Sequence, residues 1–253
     1  MMYLEVKGLA KLFTLHLLGD KRITGFSNVS FGLKHGEFLG VMGPIGTGKS
    51  SLMKCLYRTY LPTDGEISLQ SDGKIIDVAK APEHQIIELR KREIGFVSQS
   101  FRKIPRVSTL DVVAEPLLEQ GLEPAQARER SKAMLARLLI PEEMWDTYPA
   151  NLGIGEGQKV NFARTLVYGP RLLILDDPIS LLDSETLEII VEMFRELKSQ
   201  GVTIIGAFQE TDINRELADK ILLLEKNRVA AFGEATEILP LVRGGRTRYG
   251  KTA

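Results

Sequence analysis

The chain has 253 residues, 43% of them hydrophobic and 26% charged, with 33 Lys and Arg set against 33 Asp and Glu. That length allows one large domain or a core with a single insertion, and the composition excludes global disorder. A formal net charge of zero excludes a generic coat for polyanions such as nucleic acid.

In chain order, Tyr3–Val6 alternates apolar and charged residues and predicts a strand. Val29–Leu33 and Glu37–Met42 are two further apolar runs joined by the turn Lys34-His35-Gly36. Ser50 to Tyr60 has helical spacing, with Leu52, Cys55, Leu56 and Tyr60 on one face, and it ends at the turn-rich Leu61-Pro62-Thr63-Asp64-Gly65. Strands are expected at Glu66–Leu69 and Ile94–Val97, then helices at Thr109–Gln120 and Pro124–Leu139. Beyond these, the strands Leu172–Leu175, Val202–Ala207 and Ile221–Leu224 alternate with helices at Ser184–Lys198 and Asp212–Leu217. Continuous apolar runs separated by amphipathic helices are the pattern of a parallel sheet covered on both faces.

The chain therefore reads as an α/β core over residues 1–242, with a helical insertion at about 101–160. Residues 243–253 carry four basic side chains (Arg243, Arg246, Arg248 and Lys251) and no acidic ones, so they are expected to form a disordered basic tail on an acidic body. A single cysteine, Cys55, excludes an internal disulfide, and its place in the helix predicts a buried thiol. No apolar run approaches the ~18 residues that span a bilayer. Glu5 and Lys7 interrupt the N-terminal apolar run, which is not the pattern of a signal peptide, so a cytoplasmic location is expected.

The chemistry is concentrated at Gly43-Pro44-Ile45-Gly46-Thr47-Gly48-Lys49-Ser50, which has the spacing G-x-x-x-x-G-K-S between a predicted strand and a predicted helix. Glycines let backbone N–H groups wrap phosphates, and the helix that starts there, with Ser51 in its first turn, points its positive end at them. The Lys49 ammonium can reach the phosphate oxygens, and the Ser50 hydroxyl can ligate Mg²⁺. A second element, Leu172-Leu173-Ile174-Leu175-Asp176-Asp177, is a buried strand ending in two carboxylates. It suits Asp176 as a metal ligand and Asp177 as a base that positions water. ATP with Mg²⁺ is the expected ligand.

The order of these motifs resembles the ATP-binding-cassette (ABC) ATPases over about residues 2–240, which implies a P-loop NTPase fold with a mostly parallel sheet, an N-terminal antiparallel part and an inserted helical subdomain. The resemblance makes Phe13 an adenine-stacking residue, Gln99 a glutamine that touches Mg²⁺ and water, and Gln209 the occupant of a switch-histidine position. Leu152-Gly153-Ile154-Gly155-Glu156 stands where the family has its signature segment, which closes over the nucleotide of a partner subunit in a head-to-tail dimer.

A narrower spaced set includes Leu56-Tyr57, Tyr60-Leu61-Pro62, Ile104-Pro105-Arg106, Val112-Val113, Pro116-Leu117-Leu118, Trp145 and Val160-Asn161. It is similar to the PhnL-type subunits of the bacterial carbon–phosphorus lyase system. That resemblance implies a role in coupling methylphosphonate to the ribose of ATP, beside other lyase subunits and a second ABC-type subunit, or as a homodimer. Two other readings are a cytosolic ATPase subunit of an ABC transporter and a nucleotide-binding regulatory subunit without useful turnover. No nucleic-acid partner and no membrane insertion are expected.

Several positions depart from the family pattern. Asp177 is one methylene shorter than the family's glutamate, and Gln209 cannot carry charge. Gly153 removes a serine hydroxyl, Ile154 puts a β-branched residue where glycine is usual, and Ile45 replaces a small polar residue. Slow hydrolysis is the expected consequence.

Overall fold

Two long strands open the chain. In the computed structural model, β1 (Leu4–Leu15) and β2 (Lys21–Leu33) form an antiparallel pair with register Leu4↔Leu33 to Leu15↔Lys21. They run well beyond the short apolar segments Tyr3–Val6 and Val29–Leu33, because the ladder continues through the exposed residues 21–24 of β2 and the half-buried residues 10–13 of β1, whose apolar side chains do not alternate. The structure describes residues 2–15, 19–101, 106–208, 211–240 and 242. The expected basic tail and Gln209 therefore lie outside the described residues, as do Ile104 and Pro105.

The remaining elements are β3 (Phe38–Met42), α1 (Lys49–Leu56), β4 (Asp64–Ser71), β5 (Lys74–Asp77), α2 (Glu83–Arg92), β6 (Ile94–Val97), α3 (Thr109–Glu119), α4 (Pro124–Arg137), α5 (Ile154–Leu166), β7 (Leu172–Asp176), α6 (Ser184–Ser199), β8 (Thr203–Ala207), α7 (Thr211–Leu217), β9 (Lys220–Glu225) and β10 (Arg228–Glu234). They fall into two compact units, one comprising the residues up to Pro82 together with those from Thr203 onward, the other Glu83–Val202.

In the first unit, β2, β1, β4 and β5 form an antiparallel sheet in that order. A second set of strands has β3 between β8 and β9, parallel to both, with β10 antiparallel on β9. Every residue of β3 and of β8 is buried, which is why both read as unbroken apolar runs. Gly40 of β3 has a specific steric reason: a Cβ there would run into the Asn214 amide of α7 and the Ile221 side chain. Asn214 is fully buried, and its side-chain amide finds no hydrogen-bond partner among the described residues.

In the second unit, β6 and β7 pair in parallel with register Ile94↔Leu172 to Val97↔Leu175, so both strands end on the same side. The helices start where side chains cap them. Ser108 accepts from the Asp111 N–H at the head of α3, and Glu123 accepts from the Ala125 and Gln126 N–H groups at the head of α4. Ala114, Leu117 and Ala127 form the apolar seam between α3 and α4. Trp145, expected to be a packing residue, donates its indole N–H to the Ile140 carbonyl at 3.0 Å.

Candidate functional site

The first unit carries the phosphate-binding loop between β3 and α1. Gly43 and Gly48 sit at φ 145° and 94°, a region L side chains avoid, and each also lacks room for one. A Cβ on Gly43 would fall on the Leu224 carbonyl oxygen, and one on Gly48 would fall on the Gly25 carbonyl oxygen. These glycines are thus dictated by backbone packing as well as by ligand approach. Lys49 donates to the Gly43 carbonyl at 2.7 Å and to the Pro44 carbonyl at 3.0 Å, tying the two ends of the loop together. Thr47 Oγ1 donates to Pro44 O at 2.8 Å. From the turn before β10, Asn227 donates to Gly25 O at 2.8 Å and to Gly46 O at 3.2 Å, a support that no motif spacing announces. Ser50 is exposed at the start of α1, Ser51 is half-buried, and Ile45 is 88% exposed at the loop's tip.

Phe13, on β1, is half-buried with its ring edge-on to Tyr60, the centroids 5.4 Å apart. The Lys11 ammonium lies 5.0 Å from the Phe13 centroid and donates to Leu61 O at 2.8 Å. The aromatic expected to stack on adenine is therefore one member of a small cationic–aromatic cluster, with Lys54 5.5 Å from the Tyr60 centroid.

The second unit carries the other residues that the motifs single out. Parallel pairing of β6 and β7 delivers Gln99 and Asp177 from neighbouring strand ends, and Gln99 Nε2 donates to Asp177 Oδ2 at 3.5 Å. Asp176 is 4% exposed at the end of β7. Asp177 turns into the left-handed region at φ 49°, which a short polar side chain tolerates better than most.

The signature-like segment heads α5, with Gly153 as its cap residue and no side-chain cap hydrogen bond. A Cβ on Gly153 would collide with the Glu156 carboxylate, so Glu156 reaches back into the space where the family's serine would begin. Ile154, first in the helix, is 71% exposed. Farther along α5, Lys159 pairs with Asp183 at 3.2 Å. Asp183 caps α6 by accepting from the Thr186 N–H and hydroxyl at 2.8 and 2.9 Å. Those Thr186 bonds, the backbone one foremost, hold the Asp183 carboxyl down at about 2, and Lys159 adds to the effect. Burial pushes the Cys55 thiol up to about 12, as expected of an inert core cysteine.

The residues present fit a magnesium nucleotide. The loop between β3 and α1 has the glycines that its backbone packing requires, and Lys49 supplies a cation beside it. The hard oxygen donors that the motifs offer are few, Ser50 in the first unit and Asp176 and Gln99 in the second, which suits an ion held largely through substrate phosphates. The sequence profile described as "ABC transporter" matches residues 26–180. The chain belongs to the ABC transporter family.

Its relatives include the methionine import ATP-binding protein MetN of Haemophilus influenzae (strain 86-028NP), 29% identical over 236 residues that make up 93% of this chain and 66% of that protein. The ABC transporter ATP-binding protein YvrO of Bacillus subtilis (strain 168) is 31% identical over 207 residues, covering 82% of this chain and 88% of the relative. This chain thus spans just under two thirds of the length of the Haemophilus MetN protein, at 66%. Among solved structures, the dimeric post-hydrolysis state of the ATP-binding cassette MJ0796 bound to ADP and Pi matches with a TM-score of 0.83 and 27% identity, over 92% of this chain and 98% of that one. The fold is the α/β P-loop NTPase fold of ABC cassettes, a family that binds ATP with Mg²⁺ and whose cassettes form dimers. Among the described residues no helix is long and apolar enough to cross a membrane.

Proposed function

We propose that this chain is the nucleotide-binding subunit of a larger assembly, holding MgATP firmly and hydrolysing it slowly. One observation carries the reading: the phosphate-binding loop keeps Gly43, Gly48 and Lys49 in tight backbone contacts, while Gly153, Ile154 and Asp177 depart from the family pattern. Lys49 and the N–H groups at the start of α1 would hold the phosphates, with Pro44, Ile45, Gly46 and Thr47 shaping the loop and Phe13 beside the base. Ser50, Gln99 and Asp176 would hold Mg²⁺, which when bound neutralises phosphate charge.

Asp177 would take a proton from water at its carboxylate, with Gln99 orienting that carboxylate, and Gln209 would contribute a neutral hydrogen bond. The shorter reach of Asp177 and its tie to Gln99 place its oxygens differently from those of a glutamate. A mispositioned base forfeits much of a contribution on the order of 10²–10⁴-fold. Nucleotide titration with steady-state turnover tests this: sub-millimolar ATP affinity with turnover far below ~10 s⁻¹ is expected, and an ordinary rate from the isolated protein overturns it.

For the assembly, the names of the relatives favour a membrane transporter, with this chain as its ATPase on the cytoplasmic side, paired with a second copy or a second cassette. A second reading is favoured by the spaced set from Leu56-Tyr57 to Val160-Asn161: a subunit of a carbon–phosphorus lyase complex, supporting transfer of methylphosphonate to the ribose of ATP. Affinity purification from a native host separates them. Copurifying membrane subunits support the transporter. Copurifying soluble subunits, with adenine released from ATP only when methylphosphonate is added, support the lyase.

A further inference from the structure

Helix α5 lies unusually close to strand β6. Gly95 makes this possible, because a Cβ there would press on Thr165 of the helix and on Pro170. Along the face of α5 turned to the strand, residues 158, 161 and 165 succeed one another at helical spacing. All three are polar and buried, and the two amides donate to the backbone just beyond the strand. Gln158 Nε2 reaches Ser98 O at 2.9 Å, and Asn161 Nδ2 reaches the same oxygen at 3.1 Å. Thr165 Oγ1 approaches Phe96 O at 3.4 Å while also bonding Asn161 O at 2.9 Å. Gln158 is 1% exposed and Asn161 9%, so both amides are committed to this contact and solvent cannot replace them cheaply.

Ser98 is the residue immediately before Gln99, and two donors on one carbonyl fix the peptide plane between them. That plane sets the direction in which the Gln99 side chain leaves the strand, toward Asp177 at 3.5 Å. We propose that Asn161 and Gln158 are positioning residues, whose amides on the Ser98 carbonyl aim Gln99 and so govern how strongly Mg²⁺ contributes to nucleotide binding. The proposal rests on the reading of Gln99 as a metal-contacting residue. Supporting groups of this kind alter metal affinity or activity by about 10- to 100-fold when removed.

The test compares the wild-type chain with Asn161→Asp, which keeps the shape but replaces the donor by an acceptor, and with the uncharged Asn161→Leu. Each is also made in a Gln99→Ala background. A fluorescent ATP analogue reports affinity with Mg²⁺ and with EDTA, and amide hydrogen exchange reports the 97–101 segment without nucleotide. Both variants are expected to exchange faster at 97–101, to keep metal-free affinity within about twofold, and to lose about tenfold of the Mg²⁺-dependent gain. In the Gln99→Ala background the same substitutions should remove nothing further, because the coupling passes through Gln99. An equal loss in both backgrounds, or a parallel fall in metal-free affinity, overturns the proposal, as does unchanged exchange at 97–101. If the wild type shows no ATP binding, the nucleotide reading falls. If it binds ATP with a Mg²⁺ gain that both Asn161 variants retain, that reading stands and this inference falls.

Discussion

The loop around Lys49 in the first unit and the strand ends around Asp177 in the second, both assigned to one nucleotide chemistry by the proposed function, are built differently. In the first, Gly43 and Gly48 stand where a Cβ would hit a carbonyl, and an ammonium knots the loop through Gly43 and Pro44. In the second, the polar groups are well held yet chemically altered. Gln99 and Asp177 meet on adjacent strands, Asp183 is triply anchored, and Glu156 fills the place of a serine that is absent. The difference teaches that a region can be well ordered while its residue types depart from the family pattern. In the second region the Asp183 bonds to Thr186 and Lys159 leave the Asp177 carboxylate out, whereas the Gln99 contact is made to it.

Four measurements would break or sharpen this contrast. The largest effect belongs to the loop: Lys49→Ala should weaken ATP binding about 10- to 100-fold by calorimetry, since it removes charge-assisted bonds to phosphate. Unchanged affinity would mean the loop is not the nucleotide site. In the other region, Asp177→Glu should raise turnover about tenfold at unaltered ATP affinity, by restoring the reach of the base. The gain is limited because φ 49° suits glutamate less well than aspartate. A fall in turnover would show that the shorter carboxylate is already placed for its task.

Gly153→Ser combined with Ile154→Gly should give a smaller, severalfold increase in ATP-dependent dimer by light scattering, with Glu156 displaced from its place over residue 153. No change would remove the signature segment from the contrast. The smallest effect concerns stability. Because the Asp183 carboxyl sits at about 2, below its unfolded range near ~4, its cap stabilises the fold fully above about pH 4 and fades as pH falls toward about 2. Asp183→Ala should therefore lower Tm by a few degrees at pH 7, by much less near pH 2, and by nothing once pH falls below that value. A Tm deficit that persists in acid would contradict the assignment.

Much of the site was legible before any coordinates. The G-x-x-x-x-G-K-S spacing and the strand ending in Asp176-Asp177 name their chemistry because phosphate and metal binding demand those residue types at fixed intervals. The apolar strands β3, β7 and β8 were equally plain, being buried on both faces. The distal halves of β1 and β2 were not, nor were β5 and β10: residues 21–24 of β2, β5 and β10 are exposed or half-buried, and the apolar residues of distal β1 do not alternate. Asn227, Gln158 and Asn161 were hidden for another reason: each acts on a carbonyl distant in sequence, and any amide at those positions looks alike in a string of letters.

The sequence by itself determined the family, the ligand class and which residues depart from the pattern, because these depend on residue type and local spacing. Only the tertiary structure decided how the departures are accommodated: Glu156 beside Gly153, Gln99 drawn to Asp177, and two amides of α5 closing on Ser98. Those contacts depend on strand pairing and on how closely a helix can approach a glycine, and long-range packing of that kind is set by the fold as a whole.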